Sequence, residues 1–167
     1  RQFFIFSTFA LQIKIRMEQS TERILITGAN GQIGTELAAK LVEIYGKDNV
    51  IASDLYVRKD GKEIAGKHIR LDVSNFQAVT DVIKEHHITT VYHLASLLSG
   101  TSEKQPLFAW KVNIEPLLNL CELAKNGLIQ KIFWPSSIAI FGKGLPKENV
   151  GQDVVLHPTT IYGISKL

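Results

Sequence analysis

The sequence contains a single cysteine, Cys121, in 167 residues, so no disulfide can form within the chain. A chain without a disulfide framework is typical of a reducing compartment. The sequence also lacks cysteines, histidines and carboxylates at the spacing of a zinc site, and we predict no metal. Cys121 follows Leu117 and precedes Ala124 at the spacing of one apolar helix face. We therefore expect its thiol to be buried.

Neither sign of charge is in large excess, since the net charge is only +3 and the excess positive charge lies at the N-terminal end. Residues 1–16 contain Arg1, Lys14 and Arg16 and no acidic residue, so acids and bases balance from Met17 onward. A balanced chain lacks the basic surface that nucleic acid requires. We predict no nucleic-acid partner.

No apolar run reaches the roughly 20 residues that cross a bilayer. The most apolar segment, residues 1–16, is interrupted by Gln12 and Lys14, and we predict no membrane partner. Residues 1–22 are interpreted as an extraneous or leader segment that is poorly ordered. We favour translated upstream sequence, with Met17 as the start and a cytoplasmic protein. The alternative is the end of a presequence, which would place the protein in the mitochondrial matrix.

Short apolar runs alternate with longer amphipathic stretches from Met17 onward, which is the pattern of βαβ units around a parallel sheet. The apolar runs predict five strands, at residues 24–26, 50–52, 69–71, 91–94 and 131–134. Helices are predicted over residues 32–45, from a cap at Ser74, over residues 103–125 and from about Thr160, with a polar loop over residues 57–67. Pro116 falls inside the third helix and is expected to kink or restart it.

A glycine-rich turn directly follows the first predicted strand and opens a helix, with the sequence Gly28-Ala29-Asn30-Gly31-Gln32-Ile33-Gly34. Gly28 permits the tight turn, Gly31 lets the backbone approach a pyrophosphate, and Gly34 allows close packing of helix on strand. The free N–H groups of the helix start then meet the phosphate charge. We predict that the glycines bind a dinucleotide together with Asn30, Gln32 and Ile33.

Asp54 ends the second predicted strand, 20 residues after Gly34. A carboxylate there can accept hydrogen bonds from both hydroxyls of the adenosine ribose, and it would repel a 2′-phosphate. The sequence therefore predicts NAD as the cofactor in preference to NADP.

Tyr162 and Lys166 are four residues apart, which places them on one face of the last helix. A free phenol ionises only near pH ~10, but a nearby ammonium and the positive nicotinamide favour the phenolate. Tyr162 can then accept a hydroxyl proton while hydride leaves to NAD, and Lys166 would also hold the ribose hydroxyls. The residues themselves therefore indicate NAD-dependent oxidation at a hydroxyl-bearing carbon.

The glycine spacing G-x-x-G-x-x-G resembles the short-chain dehydrogenase/reductase superfamily, and the run S-S-I-A-I-F-G resembles a signature of its extended branch. The resemblance implies a Rossmann-like doubly wound α/β domain over residues 23–167, with strand order 3-2-1-4-5. It also implies truncation before the C-terminal substrate region, so we expect the chain by itself to be inactive. Ser137, 25 residues before Tyr162, takes the place of the catalytic serine that orients the reacting oxygen. Ser136 is expected to touch substrate.

Further cofactor contacts follow from the same resemblance. Asp72 and Val73 end the third strand, where the superfamily places an acid near the adenine. The segment His93-Leu94-Ala95-Ser96 ends the fourth strand and matches the segment beneath the nicotinamide ribose, with Leu94, Ala95 and Ser96 as its cofactor contacts. Asn113 in K-V-N-I matches an asparagine of the family. The third and fourth strands both end at the carboxyl edge of the sheet, where open α/β sheets bind ligands.

Three segments resemble the short-chain type of L-threonine 3-dehydrogenase: H-L-A-S-L-L-S-G-T-S-E-K-Q-P-L-F-A-W-K-V-N, W-P-S-S-I-A-I-F-G and H-P-T-T-I-Y-G-I-S-K. The resemblance implies oxidation of the β-hydroxyl of L-threonine to 2-amino-3-ketobutyrate in threonine catabolism. It further implies contact of Ser99 and Tyr162 with the amino acid, and a homodimer at full length.

Two alternatives stay open. A sugar-nucleotide epimerase or dehydratase would share the cofactor and catalytic residues, and would need a nucleotide pocket in the C-terminal half. A non-catalytic NAD-binding module is disfavoured because Ser137, Tyr162 and Lys166 are all present.

Overall fold

The computed structural model of the chain describes residues 22–56, 64–144 and 148–167. The segment 1–22 that the sequence sets apart lies outside these ranges except for Glu22, and so does most of the predicted polar loop. The described strands are β1 (Ile24–Thr27), β2 (Val50–Asp54), β3 (Lys67–Arg70), β4 (Thr90–His93) and β5 (Lys131–Phe133). The α-helices are α1 (Gln32–Tyr45), α2 (Phe76–Glu85), α3 (Ser99–Lys104), α4 (Pro106–Asn113), α5 (Glu115–Lys125) and α6 (Ile161–Ser165), and two 3₁₀ turns are η1 (Lys47–Asn49) and η2 (Ile138–Ile140).

The five strands form one parallel sheet in the order β3-β2-β1-β4-β5. All four residues of β1 are buried, because this central strand has a strand on either side and helices over both faces. Strands that are buried on both faces have continuous apolar sequences, and these apolar runs identify the strands in the sequence. The predicted α/β class and strand order are confirmed.

Alternate residues of the strands supply two separate cores on the two faces of the sheet. Leu25 and Ile51 face one core, together with Ile83 of α2 and Leu123 of α5. The neighbouring strand residues face the other core, where α1 packs through Ala38 and Leu41. Helices on both faces make the sheet doubly wound, so the carboxyl ends of all five strands meet at one open edge.

The helical region after β4 differs in detail from its prediction. It begins at Ser99 and forms three short helices in place of one helix over residues 103–125. Pro106 and Pro116 each stand in the first turn of a helix, where the missing N–H would have had no partner. The predicted restart at Pro116 is therefore confirmed.

Two local predictions were wrong. The cap of α2 is Asn75, whose side chain accepts a hydrogen bond from the N–H of Ala78, while Ser74 bonds to Asp72. Cys121 is exposed, because the buried face of α5 is formed by Pro116, Leu120 and Leu123. A side chain one residue after Leu120 points about 100° away from that face.

Candidate active site

The glycine-rich turn joins β1 to α1 at the open edge of the sheet. Gly28 has a φ of +71°, and a Cβ there would lie 2.7 Å from the backbone nitrogen of Ala95. A Cβ on Gly34 would lie 2.5 Å from the carbonyl oxygen of Gly28. Neither position has room for a side chain, so the turn brings the start of α1 directly against β1 and the end of β4.

The N-terminal end of α1 is exposed on the outer side of this turn. Gly31 is the N-cap residue, and Gln32 and Ile33 follow it as exposed residues of the first turn. Backbone N–H groups in a first helical turn have no partner within the helix. Together with the positive end of the helix dipole they form a site for a phosphate anion.

Asp54 is held at the end of β2 by backbone donors. One carboxylate oxygen accepts a hydrogen bond from the N–H of Asn30 at 3.0 Å, and the other lies 3.4 Å from the N–H of Tyr56. The side-chain amide of Asn30 donates to the carbonyl of Tyr56, while its Oδ1 is buried without a partner. Asn30, predicted as a cofactor contact, therefore also fixes the orientation of the Asp54 carboxylate.

A cleft of about 610 Å³ opens between the glycine turn and the ends of β2, β3 and β4. Its volume is within the range of small-molecule and cofactor sites. The cleft is lined by eight of the residues that the sequence analysis assigned to the cofactor: Gly28, Gly31, Asp54, Asp72, Val73, Leu94, Ala95 and Ser96. The glycine cradle and the carboxylate beside it suit a dinucleotide.

Sequence reasoning missed further lining residues, which are Leu55, Tyr56, Leu71, Ser74, Leu97, Leu98, Phe108 and Val112. Tyr56 could have been found from its position two residues after Asp54. Phe108 and Val112 are four residues apart and therefore share one face of α4. Only the packing of α4 against its neighbouring helices shows that this face lines the cleft.

Asn113 is absent from the lining of this cleft. Its buried side chain accepts from the N–H of Leu97 at 2.7 Å and donates to the carbonyl of Leu97 at 3.2 Å. Both hydrogen bonds hold the loop that follows β4. Asn113 thus acts on the cleft through the backbone of Leu97.

The predicted catalytic residues lie on α6 and on the turn η2 that contacts it. A Cβ on Gly163 would lie 2.5 Å from the carbonyl oxygen of Ala139, so the two backbones touch at the residue after Tyr162. The start of α6 is held twice: Thr160 accepts from the N–H of Gly163, and the Glu103 carboxylate of α3 accepts from the N–H of Ile161 at 2.8 Å. These contacts bring the turn after Ser137 and the helix of Tyr162 together.

The serines of this region make local hydrogen bonds. The Ser137 hydroxyl accepts from the N–H of Ala139 at 3.2 Å, which leaves its proton available to another acceptor. The Ser136 hydroxyl donates to the carbonyl of Lys166 at 2.8 Å and so ties β5 to the end of α6. Ser99 is the exposed first residue of α3.

Lys166 is buried, with 3% of its surface exposed. Its Nζ lies 4.6 Å from the centre of the Trp134 ring and 5.9 Å from the centre of the Tyr162 ring. Burial lowers the pKa of the Lys166 ammonium, because removing water disfavours the charged form. The tertiary structure therefore places a desolvated ammonium beside the phenol, as the Y-x-x-x-K spacing predicts.

His93 is the last residue of β4 and begins the segment that the sequence analysis places beneath the nicotinamide ribose. Its Nδ1 lies 2.8 Å from the Thr27 hydroxyl, and its Nε2 is buried without a partner. Burial and, to a lesser degree, the positive charge of Lys166 together lower the His93 pKa to about 4. A neutral imidazole thus lies at the end of β4, against Thr27 of β1.

Neither a membrane-spanning helix nor a metal-binding cluster occurs in residues 22–56, 64–144 and 148–167. No helix there combines the length and apolarity needed to cross a membrane. No group of three or more histidine, cysteine or carboxylate side chains is placed to hold a metal ion in those residues.

Known proteins were compared with this chain, and the NAD dependent epimerase/dehydratase family matches it over residues 24–167. A GalE-like L-threonine dehydrogenase from Cupriavidus necator, solved in its holo form, is 47% identical with a TM-score of 0.80, over 86% of this chain and 46% of its own. UDP-glucose 4-epimerase from Thermotoga maritima, solved with UDP-glucose, is 26% identical with a TM-score of 0.77, over 86% and 47%.

A curated relative, an uncharacterized epimerase/dehydratase of Staphylococcus haemolyticus, is 44% identical over 87% of this chain and 46% of its own length. The chain thus spans about half the length of the relatives it matches. The cofactor that its glycine turn and Asp54 suit is NAD. The chain belongs to the NAD dependent epimerase/dehydratase family.

Proposed function

We propose that the chain forms the NAD-binding and catalytic part of an L-threonine 3-dehydrogenase. The observation that carries this proposal is the difference in identity among relatives of one fold. Identity is 47% to the threonine dehydrogenase of Cupriavidus necator and 26% to the epimerase of Thermotoga maritima, over equal shares of this chain. Because both relatives share the fold of this chain, the fold does not distinguish the two functions. The higher sequence identity favours the dehydrogenase.

NAD, when bound, supplies the hydride acceptor. The reaction removes a hydride from Cβ of L-threonine and a proton from its β-hydroxyl, which yields 2-amino-3-ketobutyrate, NADH and a proton. Tyr162 accepts the hydroxyl proton on its phenolic oxygen. The ammonium of Lys166 favours the phenolate that accepts it. The Ser137 hydroxyl donates to the reacting oxygen and orients it toward Tyr162.

The contacts to substrate belong to the same proposal. Ser99, Ser136, Ser137 and Tyr162 are assigned to the amino acid. Ser136 already donates to the carbonyl of Lys166, so contact with substrate would require its hydroxyl to rotate or to share that bond. Ser99 is exposed at the start of α3, a helix linked to the catalytic helix by Glu103.

A second candidate is a sugar-nucleotide epimerase or dehydratase. It is supported by the description of the Staphylococcus haemolyticus relative and by the similar fold of the Thermotoga maritima enzyme. Such enzymes would use the same NAD cleft and the same tyrosine. The two functions therefore differ in substrate and not in the residues described here.

The test uses a protein that carries this chain and extends over the full length of its relatives, called the complete enzyme below. We expect NADH formation, followed at 340 nm, with L-threonine and none with UDP-galactose, while D-threonine serves as the stereochemical control. Epimerisation of UDP-galactose without oxidation of threonine would replace our proposal with the second candidate. Binding of NAD without either reaction would favour a non-catalytic module.

We further propose that the complete enzyme is a cytoplasmic homodimer. Leu107 of α4, Leu118 of α5 and Ile164 of α6 are exposed apolar side chains on helices that pack together. Exposed apolar clusters mark protein interfaces. The exposed thiol of Cys121 suits a reducing compartment. Light scattering on the complete enzyme measures its mass, and a monomer at micromolar concentration would refute the dimer.

A further inference from the structure

The contact between Lys166 and Trp134 has no role in the mechanism derived so far. Trp134 directly follows β5 and is half-buried, and the Lys166 Nζ lies 4.6 Å from the centre of its ring. An ammonium within about 6 Å of an indole face is attracted by the negative face of the ring. The attraction grows when the cation is removed from water, as it is here.

The other groups that face Lys166 do not supply a negative charge. Among the described residues, no carboxylate oxygen lies within 4 Å of its Nζ. His93 of β4 is neutral and supplies no negative charge. Tyr162 lies on α6, which Lys166 directly follows, and is the proposed proton acceptor. Glu103 of α3 bonds to the backbone of Ile161. The charged residue of α4, Lys111, is exposed, and η2 contains no charged residue.

A buried ammonium without an anionic partner tends to lose its proton. It is also free to choose among rotamers unless a contact holds it. The Trp134 ring opposes both tendencies, because it attracts only the charged form and lies at one defined place. A phenyl ring would retain part of this attraction, and an aliphatic side chain would retain none.

We propose that Trp134 is a positioning residue of the active site, whose indole ring keeps the Lys166 ammonium charged and fixed beside Tyr162. This inference rests on the proposed catalytic role of Tyr162 and Lys166. It predicts that Trp134 acts on the proton chemistry, whereas a purely structural tryptophan would change only stability.

The first test measures kcat of the complete enzyme against pH for Trp134→Leu and Trp134→Phe. We expect the alkaline limb of the profile to move to lower pH by about one unit in Trp134→Leu, with a smaller shift in Trp134→Phe. The sign follows because a less stabilised ammonium is lost at lower pH. Trp110→Leu, at the other tryptophan of residues 1–167, is the matched control and should keep the wild-type profile. An unshifted limb in a folded Trp134→Leu enzyme would overturn the inference.

The second test does not depend on activity. The complete enzyme is labelled with 5-fluorotryptophan, and the ¹⁹F resonance that is absent from Trp134→Phe is assigned to Trp134. We expect this resonance to titrate at alkaline pH, and the titration step to disappear in Lys166→Met. A step that persists in Lys166→Met, or no step in either protein, would contradict the proposed contact.

The two tests separate the inference from the proposed function. An enzyme that is inactive toward threonine but shows the Lys166-dependent ¹⁹F step refutes the proposed substrate and supports the role of Trp134. An active threonine dehydrogenase without that step supports the substrate and refutes the role of Trp134.

Discussion

The cofactor end of the site, residues 24–56, and the end that we propose to be catalytic, residues 134–166, are built in different ways. At the cofactor end β1 is fully buried between two strands, and close backbone contacts of Gly28 and Gly34 define the turn. At the other end, within residues 22–56, 64–144 and 148–167, the three-residue β5 pairs with β4 alone, and Phe133 is about half exposed. Single side-chain hydrogen bonds to backbone atoms then hold α6 in place.

This difference shows that the two halves of one site depend on different kinds of contact. A turn made of glycines and buried strands keeps its shape through sterics and apolar burial, which do not depend on pH. The helix α6 takes its position from its neighbours, through the Glu103 carboxylate of α3 and the close approach of Gly163 to Ala139. We therefore expect the cofactor end to tolerate changes that abolish the chemistry at the other end.

The largest expected effect separates the two ends directly. Tyr162→Phe removes only the phenolic oxygen, so kcat of the complete enzyme should fall about 10³-fold because the proton acceptor is lost. The dissociation constant for NAD, measured by calorimetry, should change by less than about threefold, since ring and packing are retained. Tyr45→Phe on α1 is the matched control. Near-normal turnover of Tyr162→Phe would remove Tyr162 from its assigned role.

The next prediction concerns His93, which lies between the two ends. Its pKa is lowered to about 4 from 6.5, so between these pH values the unfolded chain binds a proton that the folded chain does not. The free energy of unfolding should therefore fall as pH drops through this window, by about 3 kcal/mol in total at pH 4 and below.

Urea unfolding of wild-type protein and His93→Asn at pH 4 and pH 7 measures this contribution. Asparagine keeps a hydrogen-bonding group toward Thr27 but does not titrate, so the His93→Asn protein should lose less stability on acidification. His157→Gln, at an exposed histidine, should behave as wild type. Equal acid sensitivity of His93→Asn and wild type would show that the buried imidazole does not carry the effect.

The smallest expected effect concerns cofactor choice. Asp54→Ala should reduce the preference for NAD over NADP by about 10- to 100-fold in kcat/KM, because the repulsion of a 2′-phosphate is lost. Asp54→Asn keeps an acceptor for the N–H of Asn30 and removes the charge, so it separates repulsion from positioning. A wild-type enzyme that uses both cofactors equally would contradict the assignment.

Most of the cofactor end could be predicted from the sequence, because its signals are local. The bounds of α1, the glycine turn and Asp54 at the end of β2 all match their predictions. The helical region after β4 was harder, since three short helices have the same average pattern as one long helix. Cys121 shows the limit of prediction from sequence, because its exposure depends on the rotation of α5 about its axis after the helix begins again near Pro116.

The sequence by itself determined the parallel sheet, the glycine turn and the pairing of Tyr162 with Lys166. Each of these depends on periodicity, on glycine sterics or on a spacing of a few residues. Only the tertiary structure decided that Trp134 lies under the Lys166 ammonium, that Ser136 binds the carbonyl of Lys166, and that His93 is buried on Thr27. These partners are 30 to 66 residues apart in sequence, and only the packing of the sheet edge brings them together.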